Sequence, residues 1–421
     1  MRNDITYRRE LGEGLVLKTA GSEADIERVA AFDAKAFGEK AIGEFCRTLF
    51  LHHPKTQPSD LIFVEDEETG EIVSSLCLIP WEWHYEDVTL KAGEMGIVGT
   101  LEPYRRRGLI RAQAEYHREL LLDRGFDLSQ IQGIPYFYRQ FGYEYTLPLE
   151  GGYSIEMHQI PEPDGDEDFK CRPETAADLS ALKRLYDEAS RNLAIHTSRD
   201  DAIWRYLSEH SSATITAYTG WVVEDAGKGI TGYFRIQKYG FGRSLNVYEA
   251  SEMSYEAALA ALRYMGRLAV EREKPNIRLI LPANCVLTQV ARHHGAHDLG
   301  TYAWQIHIPD VARILRTIGP VLERRLAESP FAGLTEEVRI NLYRDTIALH
   351  FNNGKINKVE SLGAAGGPIR IPPRAFVLLI LGYRNREELR ESWPDLGMPP
   401  KYAYLIDVLF PKMTPHIYAI Y

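Results

Sequence analysis

Along residues 60–150 the apolar positions switch between the two-residue period of a strand and the three-to-four-residue period of a helix. The runs 61–64 and 72–79 have strand length and are joined by the turn Glu68-Thr69-Gly70. A further strand is expected over 94–100. After it Leu109, Ala112, Tyr116 and Leu120 recur at helical spacing and predict a helix over 109–124, stopped by Gly125. Residues 126–131 read as a strand again, followed by a short helix through Phe141 that Gly142 ends. Strand, turn, helix and strand in this order predict an α/β fold.

The segment 161–168 carries five carboxylates and two prolines, cannot bury itself, and reads as a surface linker. A second α/β stretch runs to about residue 310, with helices expected near 175–190 and 254–272 and strands near 213–223, 230–238 and 277–281. It contains an echo: strand 276–281, a helix, then His294-Gly295-Ala296 repeats the order of strand 126–131, a helix, then Phe141-Gly142-Tyr143. The last hundred residues differ. Strands 339–343 and 346–351 pair across a short turn, Asn353-Gly354 makes another, and helices follow the Gly/Pro-rich stretch at 373–381 and 385–392. This is a small α+β unit, and its apolar run 376–381 reads as a buried helix.

A length of 421 residues suits two or three domains. The net charge, 49 − 59 = −10, argues against nucleic acid or an anionic membrane as principal partner and suits a cationic substrate. The four cysteines, Cys46, Cys77, Cys171 and Cys285, are too far apart for a disulfide framework or a zinc knuckle. His293, His294 and His297 straddle Gly295 without a fourth ligand, so no metal is expected. No run reaches bilayer length and the N-terminus has no apolar signal core, so a cytoplasmic location is expected.

The sharpest constellation is the expected strand ending Val98-Gly99-Thr100, the basic turn Arg105-Arg106-Arg107-Gly108, and the helix beginning Leu109-Ile110-Arg111. A helix N-terminus offers free N–H groups and the positive end of its dipole, and so favours phosphate. Gly108 allows close backbone approach and the arginines add charge-assisted contacts. The turn is neither a Walker A loop nor a GxGxxG fingerprint. A basic turn that merely caps a helix is the plainer alternative.

With Tyr136-Phe137-Tyr138-Arg139-Gln140-Phe141-Gly142-Tyr143 one strand further on, this turn resembles the Gcn5-related N-acetyltransferase (GNAT) superfamily. Ile110 stands where that pattern has a second small residue. Over its whole length, including 373–383 and the LeuIleAspValLeuPhePro stretch at 405–411, the chain resembles the enhanced-intracellular-survival acetyltransferases. The resemblance implies two tandem GNAT-like mixed-sheet domains, 1–160 catalytic and 169–312 degenerate, and an α+β domain like sterol carrier protein at 320–421. It also implies a homohexamer.

It further implies acetyl-CoA as co-substrate and a primary amine as acceptor: an aminoglycoside, a polyamine or a lysine-like side chain. Attack would be direct, in a ternary complex. Val98, Gly99 and Thr100 would pair with the pantetheine arm, and Arg106, Arg107, Gly108, Leu109, Ile110 and Arg111 would hold the diphosphate. Gly133 and Ile134 would line the far side, with a gap between the strands near Val98 and Ser129. Tyr138, four residues before Gly142, is the expected general acid, because a phenol keeps its proton at neutral pH. Ala291 stands at the matching place before Gly295, so the second copy is not expected to catalyse. Two bases remain open, the α-carboxylate of Tyr421 and the side chain of Glu94, which strict alternation would place on one face with residues 96 and 98. Trp81, Phe32, Phe37 and Trp204 are candidates to wall a pocket. A non-catalytic acyl-CoA-binding protein, or a lipid-binding protein working through the C-terminal domain, are the alternatives in other classes.

Overall fold

The first third of the chain builds one half of a sheet with helices on both faces. In the computed structural model, which describes residues 7–163, 165, 167–239 and 242–421, it consists of β1 (Arg8–Gly12), β2 (Leu15–Thr19), α1 (Glu23–Phe37), α2 (Lys40–His52), β3 (Leu61–Asp66), β4 (Glu71–Tyr85), β5 (Val88–Thr100), α3 (Leu109–Asp123), β6 (Leu128–Ile131) and β7 (Glu144–Glu156). α1 begins where Ser22 accepts from the Asp25 amide and ends at Gly38 in the left-handed region. α2 lies close against it because Gly43 has no side chain: a Cβ there would stand 2.7 Å from the Ala30 carbonyl oxygen.

Beyond the acidic segment, of which Asp164 and Asp166 lie outside the described residues, come β8 (Phe169–Pro173), α4 (Leu179–Ser190), β9 (Ile195–Thr197), α5 (Asp201–His210), β10 (Tyr218–Asp225), β11 (Gly229–Gln237), β12 (Leu245–Ala250), α6 (Tyr255–Glu271), β13 (Asn276–Leu279), α7 (Val286–His293) and β14 (His297–His307). The echo is structural: Gly142 (φ 90°) and Gly295 (φ 98°) both end their helices in the left-handed region that glycine adopts freely.

The two halves share one sheet of 14 strands among the described residues, in the order β1-β2-β3-β4-β5-β6-β14-β7-β13-β12-β11-β10-β8, with β9 added to β4. The order crosses the linker three times. β14 inserts between β6 and β7, pairing Gln305 with Ile131 on one side and Trp304 with Leu147 on the other. The last residues of β7, Tyr153 to Glu156, pair with β13 of the second half. Gly151 and Gly152, both at positive φ, sit where the neighbouring strands approach most closely.

The remainder holds α8 (Val311–Thr317), α9 (Gly319–Ala327), β15 (Glu337–Asn341), β16 (Thr346–Asn352), β17 (Lys355–Ser361), β18 (Ile369–Arg370), α10 (Pro373–Ile380), α11 (Arg386–Ser392) and α12 (Pro400–Leu409), with a separate sheet β17-β16-β15-β18. α10 is buried from Ala375 to Ile380 and joins the core of the first half, where the Tyr85 hydroxyl donates to the Ile380 carbonyl at 2.8 Å. No helix among the described residues is long and apolar enough to cross a membrane.

The shared strands make Gly152 a sensitive position. A Cβ there would lie 2.0 Å from the Leu279 carbonyl oxygen, at a φ of 76° that L-residues resist. Gly152→Ala is expected to cost about 3 kcal/mol in urea unfolding, from left-handed strain plus overpacking.

Candidate functional site

β6 runs parallel to β5 for only three pairs, Ala92 with Leu128, Gly93 with Ser129 and Glu94 with Gln130. From Met95 to Thr100 the edge of β5 facing away from β4 has no strand beside it, and the sheet parts. The gap therefore opens after Glu94 and Gln130. Ser129, expected at its rim, is inside the paired region, its hydroxyl on the Gly93 carbonyl at 2.7 Å.

Within the parted stretch β5 bulges. The register to β4 slips between Ser75–Gly99 and Cys77–Gly96, and Ile97 has a φ of 45°, an outlier for a β-branched residue. The bulge breaks the alternation that would have put residues 94, 96 and 98 on one face. Val98 packs with Met95 under α3, whereas Ile97 belongs to the core shared with α1 and α2, and a Cβ on Gly99 would meet Phe37 and Phe32 of α1. Glu94 thus faces α1 and α2, and Val98 the opposite side. Ser75 backs the bulge, donating to buried Asp33 at 2.6 Å.

Past Thr100, whose hydroxyl meets Ser74 Oγ at 2.9 Å, the chain turns through exposed Arg105, Arg106 and Arg107. Arg106 is left-handed at φ 64°. Arg105 Nε donates to the Thr100 carbonyl at 3.3 Å, Arg107 pairs with Glu13, and Arg111 Nη2 donates to Gln140 Oε1 at 3.2 Å. Gly108, at φ 79°, precedes α3 without any side-chain cap, and a Cβ on it would meet nothing within 4 Å. The first N–H groups of α3, at Leu109, Ile110 and Arg111, are left for an anion. The corresponding α6 differs. Ser254 accepts from the Ala257 amide at 3.2 Å and closes that end, and Ala291 is buried with no hydroxyl to offer.

On the α3 face of the gap lies Tyr138, buried with Met95, Leu109, Ala112 and Ile131. Its ring rests on Gly133, where a Cβ would stand 2.1 Å from Tyr138 Cδ2. Burial, reinforced by Tyr302, pushes the phenol's pKa up, so it holds its proton. Ile134 beside it is 64% exposed at the mouth.

On the opposite face the structure brings Glu94 and Tyr421 together. The Tyr421 hydroxyl donates to Glu94 Oε1 at 2.9 Å and accepts from Gln132 Nε2 at 2.8 Å. The contact is made by the phenol. Burial raises Glu94 to about 8, with Tyr421, Trp81 and Gln130 pulling it partly back. Only Tyr421 sits in hydrogen-bonding geometry; Glu94 Oε2, Trp81 Nε1 and both amide atoms of Gln130 have no partner among the described protein atoms. Trp81 stands edge-on to Tyr421 at 5.5 Å and to Trp304 at 5.8 Å. Of the other aromatic candidates, Phe32 and Phe37 flank Gly99, while Trp204 is in the core of the second half.

Gln130, Gln132 and Trp304 were not singled out in the sequence. A glutamine on either side of Ile131, Gln130 within buried β6 and Gln132 just past its end, was the available signal for the first two. Trp304 arrives only through the exchanged strand.

Residues 19–146 match the family described as acetyltransferase (GNAT) domain. No curated protein matches the chain. Among solved structures, a probable N-acyltransferase from Enterococcus faecalis V583 is 16% identical, with 97% of this chain and 100% of that one covered at a TM-score of 0.71. A GCN5-related N-acetyltransferase from Anabaena variabilis ATCC 29413 is 14% identical over 96% and 99%, at a TM-score of 0.68. Eis1 from Mycobacterium abscessus is 16% identical over 96% and 99%, at 0.61. The chain carries an acetyltransferase domain of the GNAT type, on the fold these proteins share.

The raised Glu94 couples stability to pH. Its folded value of about 8 lies above the ordinary 4.5, so the stability of the buried, protonated carboxyl is intact below pH 4.5 and is lost as pH rises through about 8. Glu94→Gln is expected to melt close to the parent at pH 4.5 and several degrees above it at pH 9, measured by calorimetry.

Proposed function

We propose that this chain transfers an acetyl group from acetyl-CoA to a primary amine, by direct attack in a ternary complex. The observation that carries this reading is the parted sheet. One face of the gap presents a buried carboxyl, the other a buried phenol, and an uncapped helix N-terminus with exposed arginines stands at its end. The open β5 edge at Val98, Gly99 and Thr100 fits a pantetheine amide chain laid along it. Arg106, Arg107, Gly108, Leu109, Ile110 and Arg111 fit a diphosphate, with Gly133 and Ile134 on the far wall. Acetyl-CoA supplies an acetyl group activated as a thioester.

The chain's own residues move two protons. Glu94, once deprotonated, takes one from the incoming ammonium and frees the lone pair that attacks the acetyl carbonyl. Its value of about 8 is well matched to that task near neutral pH. The Tyr421 phenol steadies the resulting carboxylate, and we assign this role to the side chain. Tyr138 gives its proton to the departing thiolate. Acceptors in this reading are aminoglycosides, polyamines or lysine-like amines, and the net charge of −10 favours such cations. We propose the division into units 1–160, 169–312 and 320–421. The second is without catalytic function because Ser254 closes its helix and Ala291 replaces the acid. The last is like sterol carrier protein.

Thiol release from acetyl-CoA, measured with an aminoglycoside, with spermidine and with lysine methyl ester, tests the reading. kcat/KM is expected to rise with pH through about 8, as Glu94 loses its proton. Tyr138→Phe should lower kcat about 100-fold with unchanged acetyl-CoA affinity by titration calorimetry. Arg106→Ala/Arg107→Ala should weaken acetyl-CoA binding about tenfold through lost charge-assisted contacts. Unchanged turnover in Tyr138→Phe would remove the acid, and acetyl-CoA binding without turnover of any amine would leave a sensor.

A further inference from the structure

Residues 415–421 lie outside any helix or strand, yet His416, Ile417, Tyr418, Ile420 and Tyr421 are buried. They are laid along β9, itself paired with β4, and along the residues that follow β9. Pro415 bridges Ile195 of β9 in parallel, and the His416 amide donates to the Ile195 carbonyl at 2.9 Å. Thr197 Oγ1 donates to the Tyr418 carbonyl at 2.7 Å, and Arg199 Nη2 to the Ala419 carbonyl at 2.5 Å. Two residues further, Tyr421 meets Glu94.

Arg199 is almost fully enclosed, with a side-chain exposure of 2%. Its fork spans Glu249, at 3.0 and 2.6 Å, and its faces lie 4.3 Å from the Tyr186 ring and 5.2 Å from the Trp204 ring. Glu249 also accepts from Tyr233 at 2.9 Å and from Arg235 at 3.3 Å, and Arg235 reaches Glu174 at 3.3 Å. Two cations and a carboxylate this deep, with Glu174 half-buried beside them, are poor stabilisers, since apolar residues of the same volume commonly do as well. What apolar residues cannot supply is a rigid donor aimed at one carbonyl oxygen.

We propose that Arg199 is a positioning residue for acyl transfer. By fixing the Ala419 carbonyl it holds the Tyr421 phenol on Glu94, and this hold is the contribution of the second half of the sheet to a site that lies in the first. The inference rests on reading Glu94 as the base. The titratable groups facing Glu94 are Tyr421, Tyr248 of β12, Cys77 of β4 and His117 of α3, which touches its backbone. Burial keeps all four neutral near pH 7, raising the phenols and the thiol and lowering the imidazole to about 3, so a limb that moves between variants assayed with one amine belongs to Glu94.

Arg199→Lys keeps the charge that Glu249 needs and removes the fork. Thr197→Val releases the Tyr418 carbonyl, leaves the Tyr186 hydroxyl its bond to the Thr197 carbonyl at 2.8 Å in place of the one to Thr197 Oγ1, and carries the test if Arg199→Lys does not fold. Two measurements decide. Hydrogen exchange of amides 416–421 should quicken at least tenfold in each variant while exchange in α3 is unchanged. With whichever of the three amines turns over fastest, the rising limb of kcat/KM should move up by about one pH unit, the worth of a lost hydrogen bond to a charged group, with KM for acetyl-CoA unchanged. Tyr421→Phe should reproduce that shift, and adding Arg199→Lys to it should move the limb no further. Parental tail exchange in folded Arg199→Lys, or in Thr197→Val where only that variant folds, overturns the proposal. Loosened tail exchange with an unmoved limb overturns the link from Arg199 to Glu94. An unmoved limb in Tyr421→Phe together with an active Glu94→Gln overturns the reading of Glu94 as base, which the exchange data alone would not.

Discussion

Everything at the site depends on the antiparallel pairing of β7 with β14. β6 is four residues long and is hydrogen-bonded on both sides, by β5 up to Gln130 and by β14 from Ser129 to Ile131. The strand that draws β6 away from β5 therefore comes from beyond the acidic segment, across the whole second half of the chain. Because β14 inserts between two strands of the first half, that half cannot complete its sheet without the second. The same insertion brings Trp304 beside Trp81 and Gln305 beneath Gly133, where its amide donates to the Gly133 carbonyl at 3.1 Å.

The two halves are built alike and differ in what they do with the end of one helix. At α3 the backbone N–H groups are left open by Gly108, whereas at α6 Ser254 closes them. A single hydroxyl in the capping position separates a helix that can receive an anion from one that is satisfied internally. The second half instead spends its buried polarity on the Arg199–Glu249–Arg235 network and on the segment that ends at Tyr421.

Burial moves the groups on both faces of the gap in the same sense, toward the protonated form. A carboxyl and a phenol are both harder to ionise away from water, so Glu94 rises to about 8 and Tyr138 is raised as well. In the proposed mechanism this matches Glu94 to work as a base near neutral pH, and it keeps on Tyr138 the proton that the proposed acid would give to the leaving group. Unpartnered polar atoms at Glu94, Gln130 and Trp81 mark the same place, since buried groups of this kind are otherwise hydrogen-bonded.

Local pattern was enough for many of the elements and for the basic turn, though the strand expected from 213 begins only at Tyr218. Period-2 and period-3.6 runs, the stops at Gly125 and Gly142, the hairpin at Asn353-Gly354 and the Arg105–Gly108 turn depend on residues a few positions apart, and a chain reports such interactions directly. The echo between Gly142 and Gly295 was legible for the same reason, because a left-handed helix end asks for glycine wherever it occurs. Three things were decided only in the folded molecule. The bulge at Ile97 turned Val98 to the face opposite Glu94, because alternation holds only while the ladder is regular. The gap opened at Glu94 and not at Ser129, because β14 and not β5 claims the end of β6. Glu94 met the Tyr421 phenol, 327 positions away, because β9 and Arg199 lay the tail along the sheet. Local sequence states what each segment prefers, and tertiary pairing states which of its groups are left without a partner, and the site is made of those.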